Sequence, residues 1–423
     1  MAVALSGGRD SCTLLDACAA LAPAHGVALA AIHVHHGLSA HADAWADACR
    51  GLAAQLRVPL DVRHVQVAGL RRHGIEAAAR HARYAALREG AAALRADAVA
   101  LAHHEDDQAE TLLLQALRGA GPHGLAAMPA RARDARGVDW IRPLLDVPRA
   151  AIDAYAARRA LAYVDDDSNA STRHRRNALR IDVMPALARA FPSPVHALAR
   201  AASLQAEAAG LLDDLAVLDA GDAMGDGTLA CARLESLPPA RGRNVLRWFL
   251  RSHGLPAPPA ARLASMLAQL ARPRADAQSR IEHAGRAIGV HRGRIHVHAV
   301  PPPPFALRWH GEAELALPHG RLAFVRVVGE GLDAARLGRA SVTIASRRGG
   351  ERFTLDARRP RRALAAWLYD AGLPAWARDA LPLVVCDGEV VAVPTLGVDP
   401  AWRACGAGAG WRCDWHPDPA VPG

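Results

Sequence analysis

The sequence predicts an α/β fold: a parallel-sheet N-terminal domain, a helical middle domain and a small α+β C-terminal domain. Three observations lead to this prediction. Short apolar runs alternate with helical patterns over residues 1–190, an alanine-rich helical pattern covers 194 to about 269, and short β-like runs follow the prolines at 301–304. The predicted domain bounds are 1–193, 194–300, 301–340 for a linker with a β-like segment, and 341–412.

Each predicted N-terminal strand leads into a predicted helix. The apolar runs lie at residues 2–5, 27–33, 60–67 and 98–102. The helical patterns lie at 11–21, 41–56, 76–94 and 107–118. This alternation predicts parallel strands with helices on both faces. In the C-terminal domain, β-like runs at 321–328, 341–345 and 383–393 surround one helical pattern at 361–371.

The charge balance of the chain is basic and is carried by arginine alone. The chain has 423 residues with 51 Lys+Arg, 42 Asp+Glu and a formal net charge of +9, and it contains no lysine. Two explanations stay open. One is the composition of a GC-rich genome, and the other is affinity for phosphate, which the arginine fork contacts well.

The cysteines and the hydropathy pattern exclude several classes of protein. Seven cysteines without a C-x-x-C pair disfavour a disulfide scaffold, a zinc ribbon and a cysteine-ligated iron–sulfur cluster. No apolar run reaches the ~20 residues of a membrane helix, and no basic leader precedes an apolar stretch. We therefore expect a cytoplasmic protein with no membrane partner.

The strongest motif is the string Ser6-Gly7-Gly8-Arg9-Asp10-Ser11, which joins the first strand to the first helix. The glycines let the backbone approach an anion, and a helix start offers unpaired N–H groups. The Asp10 carboxylate cannot attract phosphate, so we expect it to hold a Mg²⁺ that the phosphates share. A plain turn with a capping Asp or Ser is the alternative. The whole string favours phosphate binding, and the absence of lysine excludes the common lysine-bearing phosphate loop.

This string resembles the pyrophosphate-binding (PP) loop of the N-type ATP pyrophosphatases. Further strings follow in order: H-V-H-H-G-L at 33–38, E-A-A-A-R-H-A-R-Y at 76–84, A-H-H-E-D-D-Q-A-E-T at 102–111, R-G-A-G at 118–121, R-P-L-L at 142–145, D-D-S-N at 166–169 and R-N-A-L-R at 176–180. The ordered set resembles the tRNA(Ile)-lysidine synthase family. The strings S-R-R-G-G-E-R-F at 346–353 and L-P-A-W-A-R at 373–378 resemble the terminal domain of that family.

The resemblance implies an ATP-dependent ligase that uses Mg²⁺, free L-lysine and a tRNA(Ile) with a CAU anticodon. ATP adenylates the C2 oxygen of the wobble cytidine, and the lysine ε-amine then displaces AMP. The implied ATP-binding residues are Ser6, Gly7, Gly8, Arg9, Asp10, Ser11 and His35. The implied catalytic residues are Asp10 and Asp107 on Mg²⁺, Arg83 at the α-phosphate, and His103, which polarises the base or moves a proton. The oligomeric state stays open, with a homodimer as one candidate.

Each implied catalytic residue has a structural alternative. Arg83 could pair with Glu76 or Glu89 along a solvated helix face. His103 could bond to backbone at its strand end, and an Asp at 106 or 107 could cap the next helix. The motif match favours function for His103 and Asp107. For Asp106, a capping role or a role in supporting the site residues is favoured. A metal site among the histidines at 33–41 is disfavoured, because strand alternation leaves only two of them on one face.

Two arginine-rich regions are predicted to contact tRNA. The implied contacts are Arg118, Arg173, Arg175, Arg176, Asn177, Arg180, Arg347, Arg348 and Arg361. A solvated, charged loop is the alternative reading of such runs. The first cluster lies between the D-D-S-N and R-N-A-L-R strings, and that position favours contact with tRNA phosphates.

The chain departs from the family pattern at three positions. Ser39 stands where Arg is frequent, Asp167 where Pro is usual, and Arg361 or Arg362 where Lys is frequent. The chain also begins almost at the loop, so we expect a shortened first strand or a misassigned start. Two other functions stay open. A tRNA thiolase of the same fold is disfavoured by the scattered cysteines, and a non-catalytic tRNA-binding protein is disfavoured by the intact loop and acidic strand ends.

Overall fold

The computed structural model describes residues 1–35, 37, 41–65, 75–134, 136–164, 175–272, 280–301, 303–358 and 360–418. The chain forms two compact units, Met1–Leu212 and Asp213–Gly423. Within the described residues, no helix has both the length and the apolar character needed to cross a lipid bilayer.

A six-stranded sheet with the order β3-β2-β1-β4-β6-β5 organises the first unit. Its strands are β1 (Ala2–Ala4), β2 (Ala30–His35), β3 (Leu60–His64), β4 (Ala98–Ala100), β5 (Arg131–Arg133) and β6 (Asp139–Ile141). Strand β1 pairs in parallel with β2 and with β4, whereas β5 and β6 are antiparallel. The predicted parallel sheet is confirmed, and the β5–β6 hairpin is an addition that the sequence did not predict.

Helices cover both faces of this sheet. Successive side chains of β1 point to opposite faces, so they pack in two separate cores. Val3 and Leu5 pack in one core with Leu14 of the first helix, and Ala2 and Ala4 lie in a second core. The helices are α1 (Arg9–Leu21), α2 (Ala42–Gln55), α3 (Ile75–Ala93), α4 (Glu105–Ala116), α5 (Pro122–Leu125) and α6 (Arg149–Arg158). They are followed by α7 (Arg175–Ala178), a π-helical turn (Leu179–Val183), α8 (Met184–Ala190) and α9 (Pro194–Ala220).

The middle region combines helices with an antiparallel sheet. The helices are α10 (Cys231–Ser236), α11 (Pro239–Ser252) and α12 (Ala260–Ala271), and the strands are β7 (Met224–Gly225), β8 (Thr228–Ala230), β9 (Arg280–His283), β10 (Arg286–His291) and β11 (Arg294–Ala299). Phe249 of α11 packs against Ile288 and Ile295 of the sheet. The helical prediction for this region did not include these strands; in β9 and β11 the apolar residues stand singly between charged residues and histidines.

The C-terminal region is built mainly from strands. These are β12 (Ala306–Arg308), β13 (Glu314–Leu317), β14 (Gly320–Val328), β15 (Leu332–Asp333), β16 (Val342–Ser346), β17 (Arg352–Phe353), β18 (Arg362–Ala363), β19 (Pro382–Cys386), β20 (Glu389–Val393), β21 (Gly397–Val398) and β22 (Ala409–Pro417). Three short helices join them: α13 (Ala334–Leu337), α14 (Leu364–Asp370) and α15 (Ala375–Ala380). Strand β12 pairs with β16, and β14 pairs with β22. The predicted boundary between 340 and 341 therefore separates strands that are hydrogen-bonded to each other.

Candidate nucleotide-binding site

The loop between β1 and α1 lies at the carboxyl end of the central strand, where the chain leaves the sheet between two parallel neighbours. Such a switch point is where open α/β sheets bind ligands. Gly7 has a φ of +91°, which favours glycine. The hydroxyls of Ser6 and Ser11 are 3.0 Å apart, and the Ser11 hydroxyl donates to the carbonyl of Gly8 at 2.9 Å. These bonds hold the loop in shape while the first turn of α1 presents its amides to an incoming anion.

Three carboxylates surround one buried histidine at the end of β4. The Nε2 of His104 lies 3.6 Å from Oδ2 of Asp10 and 3.6 Å from Oδ2 of Asp107, and its Nδ1 lies 3.6 Å from Oδ2 of Asp106. Burial disfavours the charged imidazole, but the three carboxylates outweigh it and raise the pKa of His104 to about 9. The pKa of Asp10 is lowered, because His104 and nearby arginines outweigh the opposing effect of burial.

The structure brings Asp10 and Asp107 together, and it places His104, for which the sequence predicted no role, between them. Asp107 also accepts a hydrogen bond from the His104 amide at 3.1 Å, so it holds the first turn of α4. Asp107 therefore caps α4, as the structural alternative proposed, and its carboxylate also lies beside His104. His104 was missed because two adjacent histidines at a strand end cannot be told apart by pattern alone.

His103 is a neutral imidazole at the same strand end. Burial lowers its pKa to about 3, although the charge of Asp107 opposes this change. Its Nδ1 is buried and has no hydrogen-bond partner among the described residues. A neutral ring with an unpaired nitrogen can hold a polar substrate atom by a hydrogen bond, whereas a pKa this low makes it a weak proton acceptor.

Arg83 of α3 lies close enough to His103 for its charge to lower the pKa of that ring. The Arg83 side chain is half-buried, and burial lowers its own pKa. Among the side chains that the structure describes, no carboxylate forms an ion pair with Arg83, and the Glu76 side chain lies outside the described set. An arginine desolvated without an acidic partner is suited to bind an anion.

Arg176 and Arg180 both form ion pairs with Glu110, a buried carboxylate on α4. Nε of Arg176 donates to Oε2 of Glu110 at 2.9 Å, and Nε of Arg180 donates to Oε1 at 2.7 Å. Each guanidinium also lies within 3.6 Å of Oδ1 of Asp107. The Glu110 side chain is only 2% exposed. Both arginines, expected from sequence as tRNA contacts, thus have acidic partners inside the first unit.

A pocket of about 260 Å³ opens beside this cluster. It is lined by Asp106, Glu110, Arg149, Arg180, Met184 and Val195. Asp106 is fixed there, since it accepts a hydrogen bond from the Arg149 amide at 3.1 Å. The pocket therefore offers carboxylates, guanidinium groups and a short apolar wall within one small volume.

Two residues expected to bind ATP have protein partners. Arg9 pairs with Asp153 at 3.0 Å, and its guanidinium lies 5.5 Å from the centre of the Tyr163 ring. His35 lies at the end of β2, where its Nε2 is 2.9 Å from Oδ1 of Asp43. No cluster of three metal-binding side chains occurs among the described residues, which include His33, His35 and His41.

The predicted tRNA contacts differ in exposure. Arg118, Arg175 and Arg348 are exposed. Arg347 pairs with Asp379 at 3.5 Å, and Arg361 pairs with Glu389 at 3.1 Å. Asn177 is half-buried, and Arg173, Ser39 and Asp167 lie outside the described residues.

The sheet order, the glycine loop at its switch point and the acidic strand ends define a PP-loop nucleotide-binding enzyme. Residues 1–187 match the family model described as the PP-loop domain, which implies the use of ATP. Residues 229–296 match the TilS substrate binding domain, and residues 342–415 match the TilS substrate C-terminal domain.

Three curated relatives extend these matches over nearly the whole chain. All three are named tRNA(Ile)-lysidine synthase. The protein from Ralstonia nicotianae is 44% identical, and the alignment covers 99% of this chain and 92% of that relative. The protein from Chromobacterium violaceum is 42% identical over 98% of this chain and 95% of that relative. The protein from Nitrosomonas europaea is 37% identical over 99% of this chain and 92% of that relative. The chain belongs to the tRNA(Ile)-lysidine synthase family.

Proposed function

We propose that this protein is a ligase that forms lysidine on tRNA(Ile), using ATP to activate the wobble cytidine and free L-lysine as the nucleophile. The observation that carries the proposal is the meeting of Asp10, His104 and Asp107 beside the glycine loop, in a chain that aligns over nearly its full length with proteins of that name. The loop amides and α1 bind the pyrophosphate end of ATP, and the α-phosphate faces the acidic strand ends.

Asp10 and Asp107 fit a Mg²⁺ ion shared with the phosphates. Oδ1 of Asp10 is buried without a hydrogen-bond partner among the described residues. The second oxygen of Asp10 and one oxygen of Asp107 both approach the same His104 nitrogen. Mg²⁺ typically takes one or two protein carboxylates with waters and phosphate oxygens. Asp10 and Asp107 would hold the ion, which would supply neutralisation of the phosphate charge.

The two steps require charge stabilisation and one proton transfer. In the first step, the C2 oxygen attacks the α-phosphorus and pyrophosphate leaves, while Arg83 stabilises the charge on the phosphoryl oxygens. In the second, the lysine ε-amine attacks C2 and AMP leaves with the C2 oxygen. The attacking amine loses a proton in this step, which passes to solvent. The imidazole of His103, a weak base with a pKa of about 3, is proposed to hold a polar atom of the cytosine.

The pocket beside Glu110 is the proposed lysine site. Free lysine needs an acceptor for its α-ammonium and a donor for its carboxylate. Asp106 and Glu110 provide the acceptors, and Arg149, whose side chain has no ion-pair partner among the described residues, provides the donor. Met184 and Val195 can pack against the aliphatic stem.

Exposed arginines supply the contact with tRNA. Arg118, Arg175 and Arg348 are the strongest candidates because their side chains are exposed. Arg176 and Arg180 are proposed instead to hold Glu110 and Asp107 in place. Arg347 and Arg361 would need to exchange their present acidic partners for phosphate. A cytoplasmic location and a homodimer stay predictions.

The two cysteines beside the glycine loop do not favour thiolation. Burial raises the pKa of Cys12 to about 11 and that of Cys49 to about 12. Sulfur transfer needs a thiolate, and these thiols stay protonated at neutral pH.

The proposal is tested by pyrophosphate release from ATP with a CAU-anticodon tRNA(Ile) transcript present or absent. Release that depends on the CAU anticodon is expected. Release that is equal for a GAU transcript, from a folded and ATP-binding sample, would contradict activation of the wobble cytidine.

A further inference from the structure

Trp376, in the L-P-A-W-A-R string, has no part in the chemistry proposed above. It lies in α15 of the C-terminal region, yet its ring packs on the middle-region sheet. The ring stacks on His298 of β11 with centroids 4.2 Å apart and an interplanar angle of 8°. It also lies 5.3 Å from the ring of His296 on the same strand face. The tryptophan, in the region that matches the TilS substrate C-terminal domain, therefore contacts His296 at the end of the region that matches the TilS substrate binding domain, and His298 two residues beyond it.

A glycine makes room for this contact. Gly289 of β10 pairs directly with His296 of β11 in the sheet. A Cβ at position 289 would lie 2.6 Å from Cζ3 and 2.9 Å from Cε3 of Trp376. Real side chains do not approach so closely, so the indole fits only because residue 289 has no side chain.

A second contact lies beside the first. Nε2 of His291 is 3.0 Å from the carbonyl oxygen of Gly372, at the turn before α15. Gly372 has a φ of +74°, and a Cβ there would lie 2.6 Å from an Nη of Arg292. The end of the Arg292 side chain can move aside, so Gly372 is explained by its φ, and Gly289 is the glycine that the packing of the indole requires.

We propose that Trp376 is a positioning residue that docks the C-terminal substrate-binding domain on the middle-region sheet, so that both domains engage one tRNA as a single body. The consequence for tRNA rests on the proposed function, whereas the docking itself does not. Two modules held in a fixed relation bind a shared ligand more tightly than two that move independently, because less conformational freedom is lost on binding.

The full-length chain tests the docking through a double-mutant cycle. Gly289→Ala alone should lower the Tm of the second unit by about 3 °C or more, because the new methyl group meets the indole. In a Trp376→Ala background the same change should cost clearly less, because the ring is gone and only Nε2 of His298, 3.0 Å from the new Cβ, remains close. Additive losses of Tm would overturn the docking contact. Hydrogen–deuterium exchange of residues 286–299 should also rise in Trp376→Ala, and unchanged exchange would count equally against it.

Binding of tRNA tests the consequence. Trp376→Ala should weaken tRNA binding by about tenfold while leaving ATP binding unchanged, and Trp376→Phe should recover most of the loss because it keeps an aromatic ring in the slot. Tyr369→Ala is the matched control, since this aromatic residue of α14 is 72% exposed. Unchanged tRNA affinity in Trp376→Ala, with the docking cycle positive, would overturn the role in tRNA binding. If the unmodified chain binds no tRNA, the proposed function fails, but the docking cycle remains decisive for the interface.

Discussion

Nε of Arg180 donates a hydrogen bond to Oε1 of Glu110 at 2.7 Å, and the same guanidinium reaches Oδ1 of Asp107 at 3.5 Å. This arginine, in a segment whose charge suggests tRNA binding, is therefore directed at the carboxylates of the site. Burial opposes its charge, but Glu110 and Asp107 outweigh that effect and raise the pKa of Arg180.

The first prediction separates a site role from a phosphate contact. Arg180→Ala should lower kcat/KM by about 100-fold because Glu110 and Asp107 lose a partner that orients them. It should leave the slope of log Kd for tRNA against log salt unchanged. Arg175→Ala, at an exposed position in the same helix segment, should reduce that slope by about 1. A reduced slope for Arg180→Ala would contradict the site role and indicate that this arginine contacts a tRNA phosphate.

The second prediction concerns Asp107. Asp107→Ala should reduce tRNA-dependent pyrophosphate release by at least about 100-fold. The variant lacks one of the two carboxylates proposed to hold the Mg²⁺ that neutralises the phosphate charge. Asp47→Ala is the control, since that carboxylate is 74% exposed and pairs only with Arg50 on α2 among the described residues. Release near the unmodified rate in Asp107→Ala would remove this residue from the site.

The third prediction concerns the backbone of the loop. Gly7→Ala places a side chain at a φ of +91° and 3.3 Å from the sulfur of Cys49. Such strain costs about 1–3 kcal/mol, so the KM for ATP should rise about tenfold or more. Gly51→Ala is the matched control, because this glycine lies within α2 with open space around its Cα, and the change should slightly stabilise the protein. An unchanged KM in Gly7→Ala would show that the loop geometry does not serve ATP.

The fourth prediction concerns the proposed lysine pocket. Arg149→Ala should raise the KM for L-lysine by about 10- to 100-fold, because a charge-assisted bond to the carboxylate is lost. The KM for ATP should change little. A change confined to ATP would place Arg149 at the nucleotide instead.

The fifth prediction is a pH dependence of stability at Asp16. Its side chain is 2% exposed and accepts hydrogen bonds from Tyr155 at 2.8 Å and from Arg159 at 2.9 Å. Burial raises the pKa of Asp16, but these bonds outweigh it and lower the pKa overall. The stabilisation is therefore complete above the unfolded-state pKa of about 3.9 and is lost as the pH falls through the lower folded-state value.

Asp16→Asn should accordingly lower the Tm by about 2–4 °C at pH 7, and the difference from the unmodified protein should shrink below about pH 4. Thermal unfolding at both pH values measures this. A difference that grows on acidification would contradict the assigned sign.

Features that depend on neighbouring residues could be predicted from the sequence. The glycine loop, the parallel strands and the positions of Asp10 and Asp107 all follow from short strings, because a parallel sheet gathers the carboxyl ends of its strands on one edge. The family resemblance added the chemistry, which no local pattern contains.

Features that depend on distant residues could not be predicted in this way. Glu110 and its partners are separated by 66 and 70 positions, so no local spacing relates them. The choice of His104 over His103 at the centre of the carboxylates depends on which way each ring turns after β4. The contact of Trp376 with Gly289 depends on how the C-terminal region packs on the middle-region sheet. The residues next to each of them in the sequence do not indicate it.

The most direct test of the proposed function is the fate of lysine itself. The protein is incubated with ATP, labelled L-lysine and either a CAU or a GAU tRNA(Ile) transcript, and the nucleosides are then analysed by mass spectrometry. We expect one lysine joined to the wobble cytidine of the CAU transcript only, with one AMP formed for each. A folded, ATP-binding sample that leaves the CAU transcript unmodified would contradict the proposed function.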